Sequence, residues 1–280
     1  DGGAYEEVES FPNEAVIGVT MSALPTGPVR IKDITNTVDV VIKEGTLSSA
    51  TLAQISQGTN VAVIGSEIIA FETATLVAER RYILSNLYRG LRDTVDTSEI
   101  AGHIVGEKFV LLDPGTLAFI PVATAEINTP LKLKMVPAYG LLANYPAVNF
   151  TPTGETVRCF RPDPIVRDPV ATVAPNIAIK WWRQSRYVSS VINGTVNPLE
   201  EPVEAYDILI YEWTGSAPDV LLRQVLNFQP TSGSDFTTRF IYTAAMQTAD
   251  GRAVNGNPIY VEVYQLGSIL GRGNKGSATI

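Results

Sequence analysis

The stretch VAVIGSEIIAF at residues 61–71 places two β-branched apolar runs on either side of Gly65-Ser66. A glycine there can take the positive φ that a tight hairpin demands, so 61–71 reads as two antiparallel strands joined by a short turn. The same signature recurs outward along the chain, in AVIGVT at 15–20, VDVVI at 38–42, KFVLL at 108–112, LKLKMV at 131–136, YDILIYEW at 206–213 and PIYVEVY at 258–264. Period-two or short β-branched runs bounded by Gly, Pro, Asn and Ser are how strands and turns read. Helical signals are few: residues 49–57 suggest one short helix, and 242–250 fit a strand or a helix equally. The fold class expected is mainly β.

Composition narrows the functions open to such a chain. Its 280 residues favour two domains over one. With 45% apolar and 18% charged residues it has enough apolar surface to build cores. Net charge is −8 with no run of Lys and Arg longer than a pair, which argues against nucleic acid and anionic membranes as partners. No apolar run approaches the roughly 18 to 20 residues of a membrane span. The acidic start, Asp1 to Glu9, is the opposite of a signal peptide's basic leader, and opening on Asp1 rather than Met suggests a segment of a longer polypeptide. Four prolines at 162, 164, 169 and 175 suggest a linker over 161–175, between a domain at 1–160 and a second at 176–280 with a Gly-rich tail.

Chemistry-bearing residues are scarce. One histidine, His103, and one cysteine, Cys159, lie far apart in sequence, and His103, just before a strand, reads as structural. No G-x-S-x-G elbow occurs. Glu200, Glu201 and Glu204, among Pro198 and Pro202, read as a solvated loop rather than an acid–base pair. Gly271, Gly273 and Gly276 match G-x-G-x-x-G, but only four residues follow, too few for the helix and distal acid of a dinucleotide site, so the segment reads as a flexible exit. In IAIKWW, alternation with Ile177 and Ile179 assigns Trp181 to a core. Trp182, beside Ala178 and Lys180, is then a half-covered sheet residue, an interface anchor or, with Tyr187, a sugar-stacking platform. The chain is expected to be non-enzymatic, without cofactor or metal, and to act through its surfaces.

One resemblance gives that expectation content. Within residues 44–113, GTLSSATLAQISQGTNVAVIGSEIIAF, RRYILSNLYRGLRDT and HIVGEKFVLLD occur in the order found in the C-terminal region of tail-tip proteins of siphophages and gene transfer agents, the baseplate hub or host-specificity family. Asn60, Gly65, Glu67, Ile68, Ile69, Phe71, Tyr82, Leu84, Ser85, Leu87, Arg89, Gly90, Arg92 and Thr94 match its pattern, whereas Tyr88 and Asp93 depart from it. IAIKWWRQSR, NPLEEPVEAYDILIY, FIYTAAMQTADG and VEVYQLGSILGRG resemble the same family more loosely. The resemblance implies a β-barrel or sandwich-like first domain followed by a fibronectin type III-like sandwich. It further implies a virion structural protein at the tail tip, a homotrimer contacting other baseplate and distal tail proteins and a host receptor or glycan. The reading from another class is a carbohydrate-binding or accessory module of a secreted hydrolase. Elementary chemistry assigns Arg89 and Arg92, which bracket Gly90, a turn in which guanidinium groups pair with Glu67, Asp93 or Asp96.

Overall fold

A computed structural model describes residues 4–11, 13–29, 31–94, 102–169, 175–186, 199–215, 218–230, 238–254 and 258–280. Two compact units result, one running to Ile120 and the other beginning at Pro121.

The first unit is a closed antiparallel barrel of β1 (Ile17–Thr20), β2 (Val38–Ile42), β3 (Val61–Ile64), β4 (Glu67–Ala78), β5 (Arg81–Leu91) and β6 (Lys108–Leu111). Strand order is β1-β2-β5-β4-β3-β6, and β6 returns to pair with β1. Closure removes the free edges that an open sheet would expose. The 61–71 hairpin forms as its sequence predicts: Val61 faces Ala70, Ile64 faces Glu67, and Gly65 sits at φ 57°. Alternation then fills the interior with Val38, Val40, Ile42, Ala62, Ile64, Ile69, Phe71, Tyr82, Leu84, Leu87 and Phe109. The helix expected near 49–57 is α1 (Leu52–Ser56), opened by Thr51, whose N–H donates to Gln54 Oε1 at 2.8 Å while its hydroxyl accepts from Gln54 N.

In the second unit, β7 (Leu131–Leu133) and β8 (Val148–Phe150) form a small ribbon. Beyond them lie β9 (Ile165–Arg167), β10 (Ile177–Trp181), β11 (Tyr206–Trp213), β12 (Pro218–Phe228), β13 (Thr238–Tyr242), β14 (Ile259–Gly267) and β15 (Gly271–Thr279). They make a three-stranded sheet, β13-β10-β9, and a four-stranded sheet, β12-β11-β14-β15. Inward residues of both share one apolar cluster around Trp181, Tyr206, Ile208, Ile210, Tyr242, Val261 and Val263, which makes the pair a sandwich. The ambiguous 242–250 resolves into both readings, the end of β13 followed by α2 (Ala244–Ala249), with Thr243 as its N-cap.

Three expectations need correction. The Pro-rich 161–175 is not a linker where it is described: β9 pairs with β10 through Ile179–Arg167 and Trp181–Ile165, and its prolines flank an edge strand, where a missing N–H is tolerated. The division between units lies at Ile120–Pro121 rather than at 160. The Gly-rich tail is β15 rather than a flexible exit. A Cβ on Gly273 would lie 2.5 Å from the Cys159 carbonyl oxygen and one on Gly276 2.1 Å from that of Pro162, so these glycines allow the 159–162 backbone to lie against the strand.

Candidate functional site: a buried charge cluster in the barrel

Between Ile68–Leu91 and Ala70–Tyr88 the β4–β5 ladder shifts register, leaving one extra residue on β5. Gly90 occupies this bulge at φ 64°, a conformation open to glycine. Its N–H donates to Glu67 Oε1 at 2.8 Å. The bulge also turns Arg89 inward, where Nε donates to Glu67 Oε1 at 2.8 Å and Nη2 to Oε2 at 2.9 Å. Both side chains are fully buried. A third donation, from Nη1 to the Pro25 carbonyl, spans 3.0 Å, and Asp33 Oδ2 stands 3.9 Å from the same nitrogen.

His103 completes the cluster. Its Nε2 lies 2.7 Å from Glu67 Oε2 and its Nδ1 2.6 Å from Glu107 Oε2. A neutral imidazole has one donor, so two ring nitrogens each facing a carboxylate are satisfied together by the imidazolium. Burial pushes the His103 pKa down, yet hydrogen bonds and charge from Glu67 and Glu107 outweigh it and hold the group above its ordinary value. The residue is positioned by reciprocal backbone bonds with Leu24, at 3.0 and 2.7 Å. Thr20, fully buried, accepts from Glu107 N at 3.0 Å. Asp33 Oδ1 accepts from the N–H groups of Thr35 and Asn36. Three carboxylates, one guanidinium and one imidazole thus tie β4, β5 and the segments near 25, 33 and 103–107 to one point.

A group whose folded pKa is raised stabilises the fold fully below its unfolded pKa, about 6.5 for histidine, and that contribution disappears as pH climbs through the folded value. Urea unfolding of the barrel unit is therefore expected to show stability falling from about pH 6.5 upward, with a flatter profile in His103→Gln. Identical slopes for the two proteins would remove His103 as the cause.

The other residues singled out by sequence are distributed differently. Tyr82 and Leu84 line the barrel core. Arg92 and Asp93 follow Leu91 in left-handed backbone, φ 55° and 64°; Glu67 takes Arg89 as its partner, and Asp96 lies outside the described residues. Trp182 lies just past β10, half-buried, with Lys180 Nζ 4.9 Å from its ring centre and its carbonyl accepting from Asp163 N at 2.8 Å. Tyr187 lies outside the described residues. The solvated-loop reading of Glu200, Glu201 and Glu204 is overturned. Arg186 Nε donates to Glu200 at 3.1 Å and Nη2 to the buried Glu201 at 2.8 Å, and Glu204 accepts from Tyr206 Oη at 2.8 Å. Cys159 is buried against Glu201, 3.4 Å from Sγ to Oε1. Burial first, then the Glu201 charge, pushes its thiol up to about 12. Native protein is accordingly expected to resist a thiol-specific chromogenic reagent at pH 8 that titrates one thiol in urea; prompt native reaction would contradict this environment.

Sequence reasoning named Glu67, Arg89 and Gly90 but missed that His103, Glu107 and Asp33 join them. The spacing H-x-x-x-E at 103–107 was visible; Asp33 carried no signal. Residues 15–110 match a protein-family model described as Rcc01698-like, C-terminal. That span is about a third of the chain and contains every member of the cluster and all of the barrel strands but the last residue of β6. No curated protein matches the chain.

Proposed function

We propose that the chain is a non-enzymatic structural component of a phage or phage-like tail tip, joining tail parts through its surfaces. The ordered motif over 44–113 supports the tail-tip reading. The strand order of the sandwich, three strands against four, supports a fibronectin type III-like second unit. The buried acids of the barrel are engaged with Arg89, His103 and backbone donors, which suits a rigid scaffold better than acid–base work.

The observation that carries assembly as the role is the stretch 121–151. Not one of its residues is buried, although Met135 is 74%, Tyr139 105% and Leu141 69% exposed. Its regular structure is the two-stranded ribbon β7–β8 and two short 3-10 turns. A ribbon of this size is marginal in water, and large apolar side chains left exposed close together along the chain favour an interaction surface. At 31 residues the stretch is long enough to supply the 20–30 residues that one partner contributes to a standard interface. Light scattering of the purified chain is expected to show concentration-dependent oligomers, and electron microscopy a ring. Tyr139→Ser with Leu141→Ser should yield monomers with an unchanged unfolding transition. A strictly monomeric parent protein at high concentration would refute the reading.

A further inference from the structure

We propose that residues 4–14 of one copy cover residues 127–151 of a neighbouring copy. The proposal rests on the assembly reading above and names the partner of that surface as a second copy of this chain.

The described part of 4–14 has no helix or strand and no buried residue. Its charged side chains are Glu6, Glu7, Glu9 and Glu14, with no cation among them. Tyr5, Val8 and Phe11 are 39%, 52% and 57% exposed. Spaced by three, they would share one edge, with Glu6 and Glu9 on the next, once the segment docks as an extended chain with three residues per turn. Such a strip offers an apolar edge flanked by negative charge.

The opposite pattern is found at 127–151. Its charged residues are Lys132 and Lys134, in a chain whose net charge is −8. Lys132 is exposed within β7, and Lys134, next in sequence to Met135, donates from Nζ to the carbonyl of Leu142, the residue after Leu141, at 3.1 Å. Both segments thus expose apolar area, and their charges are of opposite sign, which favours pairing one with the other. Because the two patches differ, the contact is heterologous: each copy gives a strip and receives one, and repetition closes into a ring when the rotation permits.

Equal amounts of unlabelled and 15N-labelled full-length chain, mixed after dissociation and reassociated, would be treated with a zero-length carbodiimide. Cross-linked peptides joining Glu6, Glu7 or Glu9 to Lys132 or Lys134 should carry mixed isotopes. Pairs of single isotope alone would mean that the strip folds onto its own chain and would overturn the proposal. Lys132→Glu with Lys134→Glu should weaken self-association about tenfold. Adding Glu6→Lys, Glu7→Lys and Glu9→Lys in that background should restore it, and failure to restore it counts against the pairing. Oligomers that persist without these cross-links sink the strip while sparing the assembly reading; absence of oligomers sinks both.

Discussion

Replacing Arg89 with methionine should destabilise the barrel unit by about 3–5 kcal/mol, the cost of leaving a buried charge without its partner. Methionine keeps much of the arginine stem's volume, so the loss reports charge and hydrogen bonds more than packing. Glu67, fully buried, would lose two charge-assisted bonds while keeping those to Gly90 N–H and His103, and Asp33 would lose the cation 3.9 Å away. Urea unfolding followed by a probe in the barrel measures the difference. Glu67→Gln combined with Arg89→Met should cost less than the sum of the single changes, by about 0.5–3 kcal/mol of coupling, because the neutral amide no longer needs the guanidinium. Additive effects would show that the pair acts independently. A loss under about 1 kcal/mol in Arg89→Met would mean that water or a shifted His103 replaces the guanidinium, against the surface-pair scale of contribution.

Trp181→Ala should cost the sandwich about 3–5 kcal/mol, whereas Trp182→Ala, one position on, should cost about 1 kcal/mol or less. Trp181 is completely buried, edge-on to Tyr206 at 5.2 Å and to Phe228 at 6.2 Å. Truncation leaves a cavity between two sheets held by strand pairing, which limits collapse. The indole Nε1 has no hydrogen-bond partner among the described residues, so the native state already carries the cost of a buried unsatisfied donor. Trp181→Phe removes that donor while keeping an aromatic ring, and should therefore retain most of the stability that alanine loses. Similar melting losses for Trp181→Ala and Trp182→Ala would contradict the facing that places one ring in the core and the other at its margin.

The success of the period-two reading has a simple cause. Where a strand has one face in a core, alternate residues are buried, as in Val38–Ile42 and Val61–Ile64, whereas Tyr206–Trp213, buried without a break from Tyr206 to Ile210, was legible from its apolar run rather than from alternation. Strand β15 was hidden because its inward positions at 273 and 276 are glycines, chosen for the backbone of 159–162 lying against them. Prolines around β9 imitated a linker because an edge strand and a linker tolerate proline for the same reason, a missing N–H that no ladder needs. Glu200 and Glu201 looked solvated since a carboxylate's burial depends on a cation distant in sequence, here Arg186.

By itself, then, the sequence determined the mainly β class, the 61–71 hairpin, the inward position of Trp181 and the left-handed bend at Gly90. These are local properties, governed by alternation, β-branching and the freedom of glycine. Only the tertiary structure decided that β6 closes on β1, that the division falls after Ile120, and that Asp33, Glu67, Arg89 and His103 are buried in one cluster with Glu107 at its half-exposed rim. Those outcomes depend on which distant segments face one another, and a buried charge leaves its mark in sequence only as a polar residue whose partner is many residues away.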